Sequence, residues 1–357
     1  MSVIKKIRTA LRKFDGKRRE KSIGLEVWFL KLLGGRKGRT ERLLKPTEVK
    51  RVLIIRNNKR IGNMFFLLPF VNQVKALYPN AEVELILSDP WQGSIFENLG
   101  LSRIHFSQFG LKTIPQFSRA MKQLKQQPYD LVLLPYGGSS DRIVASMVEA
   151  RNVVAFYGPA DAAVCSHTYK YQGRYAHFAL SCMELLEQLH DAEPAEYVGR
   201  LILSESEQQE ARKQLQALLG DNQAKPSFAY FRGARGAKVI ADKDWQTLLV
   251  KFKQHYAGEV NIIEILSPDV TEPLAEAEFT YSNGDLRKLA AFLQQVPLFF
   301  CGDTGPLHLA SSAGAYCVGL FTVTNVAQYG CLGEHAVNVT DLAAIDAGKL
   351  LEELKLK

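Results

Sequence analysis

From Pro46 onward the chain alternates short apolar runs with amphipathic segments of helical length, and near residue 200 the alternation starts again. Buried strands separated by helices have one economical arrangement, a mostly parallel sheet covered by helices on both faces. In the first series, strands are expected at Val52 to Ile55, Val83 to Leu87, Leu131 to Leu134 and Val153 to Phe156, with helices from Gly62 to Tyr78 and Ala176 to Leu189. The second series opens with Ser204 and Glu207 at capping-box spacing, a helix to Leu219 and Gly220 as its stop. Strands then follow at Ser227 to Tyr230, Asn261 to Leu266, Pro297 to Cys301 and Cys317 to Phe321. Helices fall near Trp245 to Tyr256, Leu286 to Gln295 and Pro306 to Ala313. A length of 357 residues suffices for two such units. The expected fold is therefore α/β, with two doubly wound domains over 47–198 and 199–340, a basic helical extension over 1–46 and a C-terminal helix over 341–357. In sheets of this kind ligands bind beyond the carboxyl ends of the strands, so chemistry is expected in the loops that follow them.

The formal charge of +8 is unevenly spread. Residues 1–46 hold fifteen Lys or Arg against four acids, a net of +11 that leaves the remaining residues at −3. A nucleic-acid binder spreads its basic footprint over the domain that meets phosphate, so this distribution argues against one. Ile4, Ile7, Leu11 and Phe14 have helical spacing among Lys5, Lys6, Arg8, Arg12 and Lys13, and the run around Trp28, Phe29, Leu30, Leu32 and Leu33 follows. Residues 1–34 thus fit a helix lying on an anionic membrane surface, or else a solvated basic arm. Glu26 and Lys31 interrupt the apolar run, which is too short to span a bilayer, and no cleavage site marks a secretory signal. Five cysteines without a CxxC pair suggest neither a disulfide framework nor a zinc site, and fit a reducing cytoplasm.

Four loops carry candidate chemistry. In Cys301-Gly302-Asp303-Thr304-Gly305-Pro306, directly after an apolar run, a strand opens into a helix whose free N–H groups and dipole suit a phosphate. There Asp303, Thr304, Gly305 and His308 are the candidate residues. The segment Arg232-Gly233-Ala234-Arg235-Gly236-Ala237-Lys238, followed by Lys243 before Trp245, interleaves glycines with cations as a diphosphate loop does. Arg56-Asn57-Asn58-Lys59-Arg60-Ile61-Gly62-Asn63 follows the first strand, and Tyr136-Gly137-Gly138-Ser139-Ser140-Asp141-Arg142 follows another. The first and third would also serve as ordinary strand-to-helix connections, the second as a solvated basic loop, and in the fourth Asp141 and Arg142 as a salt-linked structural pair.

Together these loops resemble glycosyltransferase family 9, the ADP-heptose:lipopolysaccharide heptosyltransferases. The resemblance covers roughly residues 50–335 and is strongest over FFCGDTGPLHLASSAGAYCVGLFTVTNVAQYGCLG, where Asp303, Thr304, Gly305 and His308 fall on the family's Asp-Thr-Gly-x-x-His motif. Lys243 before Trp245 is similar to the family's Lys-x-Trp, whose lysine contacts the donor diphosphate, and Lys238 is the substitute for that role. The resemblance implies a GT-B architecture of two Rossmann-like domains. Arg232, Gly233, Lys238, Lys243, Asp303, Thr304, Gly305 and His308 would then serve the nucleotide-sugar donor, and Arg56, Lys59, Arg60 and Arg142 the acceptor. The segment Leu350 to Leu354 would form a helix crossing back onto the first domain.

One departure bears on mechanism. The family ends its first loop in Gly-Asp, and this chain has Gly62-Asn63. An amide has no basic lone pair at neutral pH, so it cannot take the acceptor proton. Either Asp141 supplies the base, or leaving-group stabilisation by Lys243 and the amides of Thr304 and Gly305 carries the reaction, or the activity is altered. Leu266-Ser267 also replaces the family's nucleotide-side glycine pair. The implied function is inverting, metal-independent heptosyl transfer from ADP-heptose to a lipopolysaccharide core, with no cofactor, at the cytoplasmic face of the inner membrane. The alternatives are an inactive glycan-binding or scaffold member and a nucleotide-sugar epimerase of the same architecture.

Overall fold

The computed structural model describes residues 22–107, 113–193, 197 and 199–353. A helix α1 over residues 22–33 precedes β1 (Arg51–Ile55), α2 (Gly62–Phe65), α3 (Leu68–Leu77), β2 (Glu82–Leu87), β3 (Arg103–Phe106) and α4 (Ile114–Leu124). The first half continues with β4 (Tyr129–Leu134), α5 (Ser139–Met147), β5 (Ala150–Phe156), β6 (His167–Tyr169), α6 (Phe178–Ser181) and α7 (Met183–His190). The second half comprises α8 (Glu205–Leu219), β7 (Ser227–Phe231), α9 (Asp242–His255), β8 (Asn261–Ile265), β9 (Phe279–Tyr281) and α10 (Leu286–Gln295). It ends with β10 (Phe299–Gly302), α11 (Gly305–Ser312), β11 (Cys317–Leu320), α12 (Val326–Tyr329), β12 (Ala336–Val339) and α13 (Ala347–Glu353).

Both sheets are parallel and six-stranded, and both have the same topology: β3-β2-β1-β4-β5-β6 in one and β9-β8-β7-β10-β11-β12 in the other. Each reverses its winding between its first and fourth strands, so the switch points lie at β1/β4 and β7/β10, where a crevice opens at the carboxyl ends. The four strands that meet there are the apolar runs of the sequence, covered on both faces, as β1 shows with Val52 to Ile55 all buried.

One apolar cluster lies under α4 and α5 and takes in Leu30 of α1. Another lies under α9 and α13. The largest covers the other face of both sheets and runs through Leu201 and Leu203 of the linker, so the halves share a core. Arg287 on α10 adds a polar tie, donating to the carbonyls of Ser94 at 2.9 Å and Ile202 at 2.8 Å and pairing with Glu207.

Several expectations need correction. The helix expected from Gly62 to Tyr78 is two helices, because Pro69 lacks an N–H and is accommodated only in a fresh first turn. The one expected from Ala176 to Leu189 divides at Cys182. The C-terminal helix packs on α9 through Leu350 and Leu351 and covers the second sheet, not the first domain. Residues Ile4, Ile7, Leu11 and Phe14 lie outside the described residues.

Candidate active site

The loop after β10 is where the strand opens into α11. Thr304, the residue before that helix, turns its hydroxyl back to the Gly302 carbonyl at 3.3 Å and does not cap the helix; of the first-turn amides, that of Leu307 is met by the Cys301 thiol. Asp303 is buried and accepts on both carboxylate oxygens, from Lys238 Nζ at 2.6 Å on Oδ2 and from His308 Nε2 at 3.1 Å on Oδ1. Burial raises its pKa, but the bonds from His308 and Lys238 outweigh that and hold the carboxyl at about 2. The carboxylate therefore stays ionised and fixes both cationic side chain and imidazole beside the helix terminus.

Lys238 is thus the lysine that the structure brings to this loop. Lys243 stands exposed on the first turn of α9 and does not join it. Arg232 is also turned away: its Nε donates to Glu264 at 2.6 Å, and Asp242 at 3.1 Å and the Glu272 carbonyl take its terminal nitrogens. Glu264 is buried and also accepts from Tyr230 OH and from the Leu274 amide, so Arg232 neutralises a buried charge rather than facing a ligand. At Gly233 a side chain would strike the Phe231 ring, which only glycine avoids.

Across the crevice, the loop after β1 presses directly on this site. A Cβ at Gly305 would lie 2.9 Å from Cγ2 of Ile61, so the glycine permits the two halves to touch at the mouth of α11. Asn63 is half-buried two residues further on, in α2. The Phe66 ring stacks edge-on against His308 at 4.9 Å and His177 at 5.7 Å, and Tyr329 stands 6.3 Å away. His177 Nε2 donates to the Gly330 carbonyl at 2.8 Å while its Nδ1 accepts from the Ala179 amide at 3.1 Å. A cavity of ≈ 890 Å³ opens beside this aromatic seam, with Phe66, His177, His308, Gln294 and the linker at Leu201 in its walls.

Two acceptor-side expectations fail on burial. Asp141 is only 1% exposed, with Oδ1 accepting from the Asn57 amide at 2.6 Å and Oδ2 from the Gly138 amide at 3.0 Å. It staples the loops after β1 and β4 together and is not open to an acceptor hydroxyl; burial raises its pKa against those bonds. Arg142 is held by Glu26 at 2.8 Å, by Asp161 at 3.2 Å and by the Gly137 carbonyl, which leaves it structural. Arg56 is buried with its guanidinium 4.1 Å over the Tyr136 ring. Lys59 and Arg60 are exposed on the same loop, so of the four cations expected to serve an acceptor these two reach solvent.

Sequence reasoning missed His177, Phe66 and Glu264. His177 directly precedes a helix and could have been read as its cap; the other two carry no local signal, since their roles come from the opposite half and from a neighbouring strand.

The family model for glycosyltransferase family 9 (heptosyltransferase) matches residues 117–351, well over half of the chain. No curated protein sequence matches. Among solved structures, a family 9 glycosyl transferase from Veillonella parvula is similar with a TM-score of 0.70 and 15% identity, over 85% of this chain and 90% of that one. Escherichia coli ADP-heptose lps heptosyltransferase II is similar with a TM-score of 0.67 and 14% identity, over 85% and 97%. Heptosyltransferase WaaC of the same organism, solved with ADP, has a TM-score of 0.66 and 15% identity over 85% and 99%. At these identities the structures speak for the fold, two facing Rossmann-like domains of the GT-B type. The family model speaks for the chemistry: this chain is a glycosyltransferase and belongs to family 9, the heptosyltransferase family.

Proposed function

We propose that the enzyme transfers heptose from ADP-heptose to an anionic lipopolysaccharide-core acceptor, with inversion and without a metal ion, at the cytoplasmic face of the inner membrane. The observation that carries this reading is the Lys238–Asp303 pair set at the uncapped start of α11. A cation and free backbone amides at a helix N-terminus complement a diphosphate, and they act most strongly on the charge that builds as it leaves. WaaC has been solved with ADP and with ADP-2-deoxy-2-fluoro heptose, which supports an adenine nucleotide as the first donor to try.

In this reading Lys238 takes the part that the sequence assigns to Lys243. The acceptor enters over Lys59 and Arg60, beside Asn63. Its hydroxyl oxygen attacks the anomeric carbon as the bond to the diphosphate oxygen breaks. The leaving diphosphate is met by Lys238 and the amides of Thr304 and Gly305, while Asp303 holds Lys238 and His308 in place. Asn63 orients the hydroxyl, and the proton passes to water, because Asp141 is enclosed and the Asn63 amide is not basic.

Calorimetry with ADP, UDP and GDP sugars, followed by turnover with ADP-heptose and truncated core acceptors, tests the reading. It requires one nucleotide to bind and a heptosylated product to form. Failure of every nucleotide to bind overturns it; binding without turnover moves the chain to a glycan-binding role, and donor consumption without product moves it to an epimerase.

A further inference from the structure

Helix α1 has two apolar faces, and only one is used by the fold. Leu30 is 0% exposed in the cluster beneath α4 and α5, with Val27 packed beside it, and Glu26 pairs with Arg142 at 2.8 Å. Leu30 therefore belongs to the core, although its neighbours in sequence are membrane candidates. The other face consists of Leu25, Trp28, Phe29 and Leu32, which are 66%, 60%, 37% and 69% exposed. Their spacing of three, four and seven residues places them on one stripe of the helix.

The direction of the helix is also determined. Glu26 meets Arg142 in the first turn of α5, and a Cβ at Gly34 would lie 2.6 Å from the Ser146 carbonyl near the end of α5. The two helices run side by side in the same sense, so α1 begins at the crevice end of the first sheet. Gly35, at φ +52, turns the chain back so that Arg39 can donate to the carbonyls of Ala145, Val148 and Ala150 at 2.7, 3.0 and 3.0 Å. These contacts make the helix a rigid part of the acceptor-side domain. Tyr157 and Tyr171, both exposed, follow β5 and β6 at that same end.

We propose that α1 docks the enzyme on an anionic bilayer, with Leu25, Trp28, Phe29 and Leu32 in the headgroup region and the acceptor-side loops held at the membrane surface. The charge around the stripe selects this occupant. Lys31, Arg36 and Lys37 are exposed beside it, and the preceding residues 1–21 contain nine Lys or Arg against two acids. An apolar stripe bordered by cations and rich in Trp, Phe and Leu matches a headgroup interface, where the rings sit among the lipids and the cations on their phosphates. No helix among the described residues is long and apolar enough to cross a membrane, so the contact is one of lying on the surface. The inference deepens the membrane placement in the reading above, and because it is measured without turnover, its failure and the failure of the transfer reading are distinguishable.

Sedimentation of the full chain with vesicles tests it, using phosphatidylcholine alone and phosphatidylcholine mixed with phosphatidylglycerol. Wild type sediments with the mixed vesicles and is released by salt. The quadruple change Leu25→Ser, Trp28→Ser, Phe29→Ser and Leu32→Ser, which leaves the charge intact, weakens partition by about tenfold with the melting temperature retained. In a Trp91→Phe background, where the other remaining tryptophan, Trp245, is buried and away from solvent, the emission shifts to the blue on adding mixed vesicles through Trp28, which reports insertion even if the quadruple variant folds poorly. Undiminished partition of a folded quadruple variant overturns the proposal. So does an unchanged Trp28 emission in a chain that still sediments, which would assign binding to residues 1–21. A wild-type dimer that ignores vesicles and dissociates in the quadruple variant would make a second copy the occupant.

Discussion

The Lys238 ammonium lies 2.6 Å from Oδ2 of Asp303, joining the loop after β7 to the loop after β10. The pair spans the switch point of the second sheet, so the cation is placed by a carboxylate that never protonates near neutrality. In the sequence these residues are far apart and belong to separate candidate loops.

Loss of Lys238 should be felt at the chemical step. Lys238→Ala is expected to lower kcat by about 10²- to 10³-fold, the range for removing one preorganised charge-stabilising group. Lys243→Ala should change it only a few-fold. Steady-state kinetics on both variants, with nucleotide calorimetry beside them, decides between the two lysines; equal losses would return Lys243 to the site.

Asn63→Asp should restore a group able to take a proton. The expected outcome is a gain in kcat/KM of about 10²-fold, the lower range for general-base catalysis, with a new ascending limb on the acid side of the pH profile. An unchanged rate with no added limb would show that proton transfer is not limiting. Asp141→Asn, by contrast, should act on stability, since it leaves a buried amide without its acceptor at a cost of about 1–3 kcal/mol.

Arg287 ties α10 to Glu207 and to the Ser94 and Ile202 carbonyls of the first half and linker. The hydrogen bond from Arg287 holds Glu207 at about 2, below its unfolded value. A depressed carboxyl contributes stability above its unfolded pKa and loses it as pH falls from about 4 towards 2. Arg287→Ala should cost about 1–3 kcal/mol, the range for losing hydrogen bonds that involve a charged group, and flatten that acid slope. Thermal melting against pH measures it, and small-angle scattering should show the two halves spreading.

His177 cannot be protonated without losing the bond its Nδ1 accepts from Ala179, and burial lowers its pKa. A histidine kept neutral by the fold contributes stability above its unfolded pKa of about 6.5 and loses it as pH falls through the lower folded value. The Ala179 amide should therefore lose its acceptor at the start of α6 on acidification below about pH 6.5, while the bond that Nε2 donates to the Gly330 carbonyl persists. His190, also lowered by burial, adds its own share. Melting temperature against pH should show a shallower decline in His177→Asn than in wild type, with the His190 part retained.

The strands that sequence reading located and those it missed divide by position in the sheets. Among the central strands, β1, β4, β7 and β10 are apolar on both faces and stand out as runs. The missed strands β3, β6, β9 and β12 are the four edges, three or four residues long and only partly buried, so neither an apolar run nor an alternation marks them. The loop after β10 was legible because a strand, a Gly-Asp-Thr-Gly turn and a helix start are contiguous. Arg232 and Arg142 were misread because a cation in a glycine loop looks the same whether it faces a phosphate or a buried Glu264 or Asp161.

By itself the sequence determined the doubled α/β pattern, the cationic end of the chain and the Asp-Thr-Gly opening of α11, because each is written in neighbouring residues. Tertiary structure alone decided which cation is brought to the opening of α11 and which is turned away from it, that Asp141 is enclosed, and which face of α1 the core leaves uncovered. Those outcomes depend on partners brought from distant parts of the chain. Burial then determines whether a charge is spent on the fold or remains for a ligand.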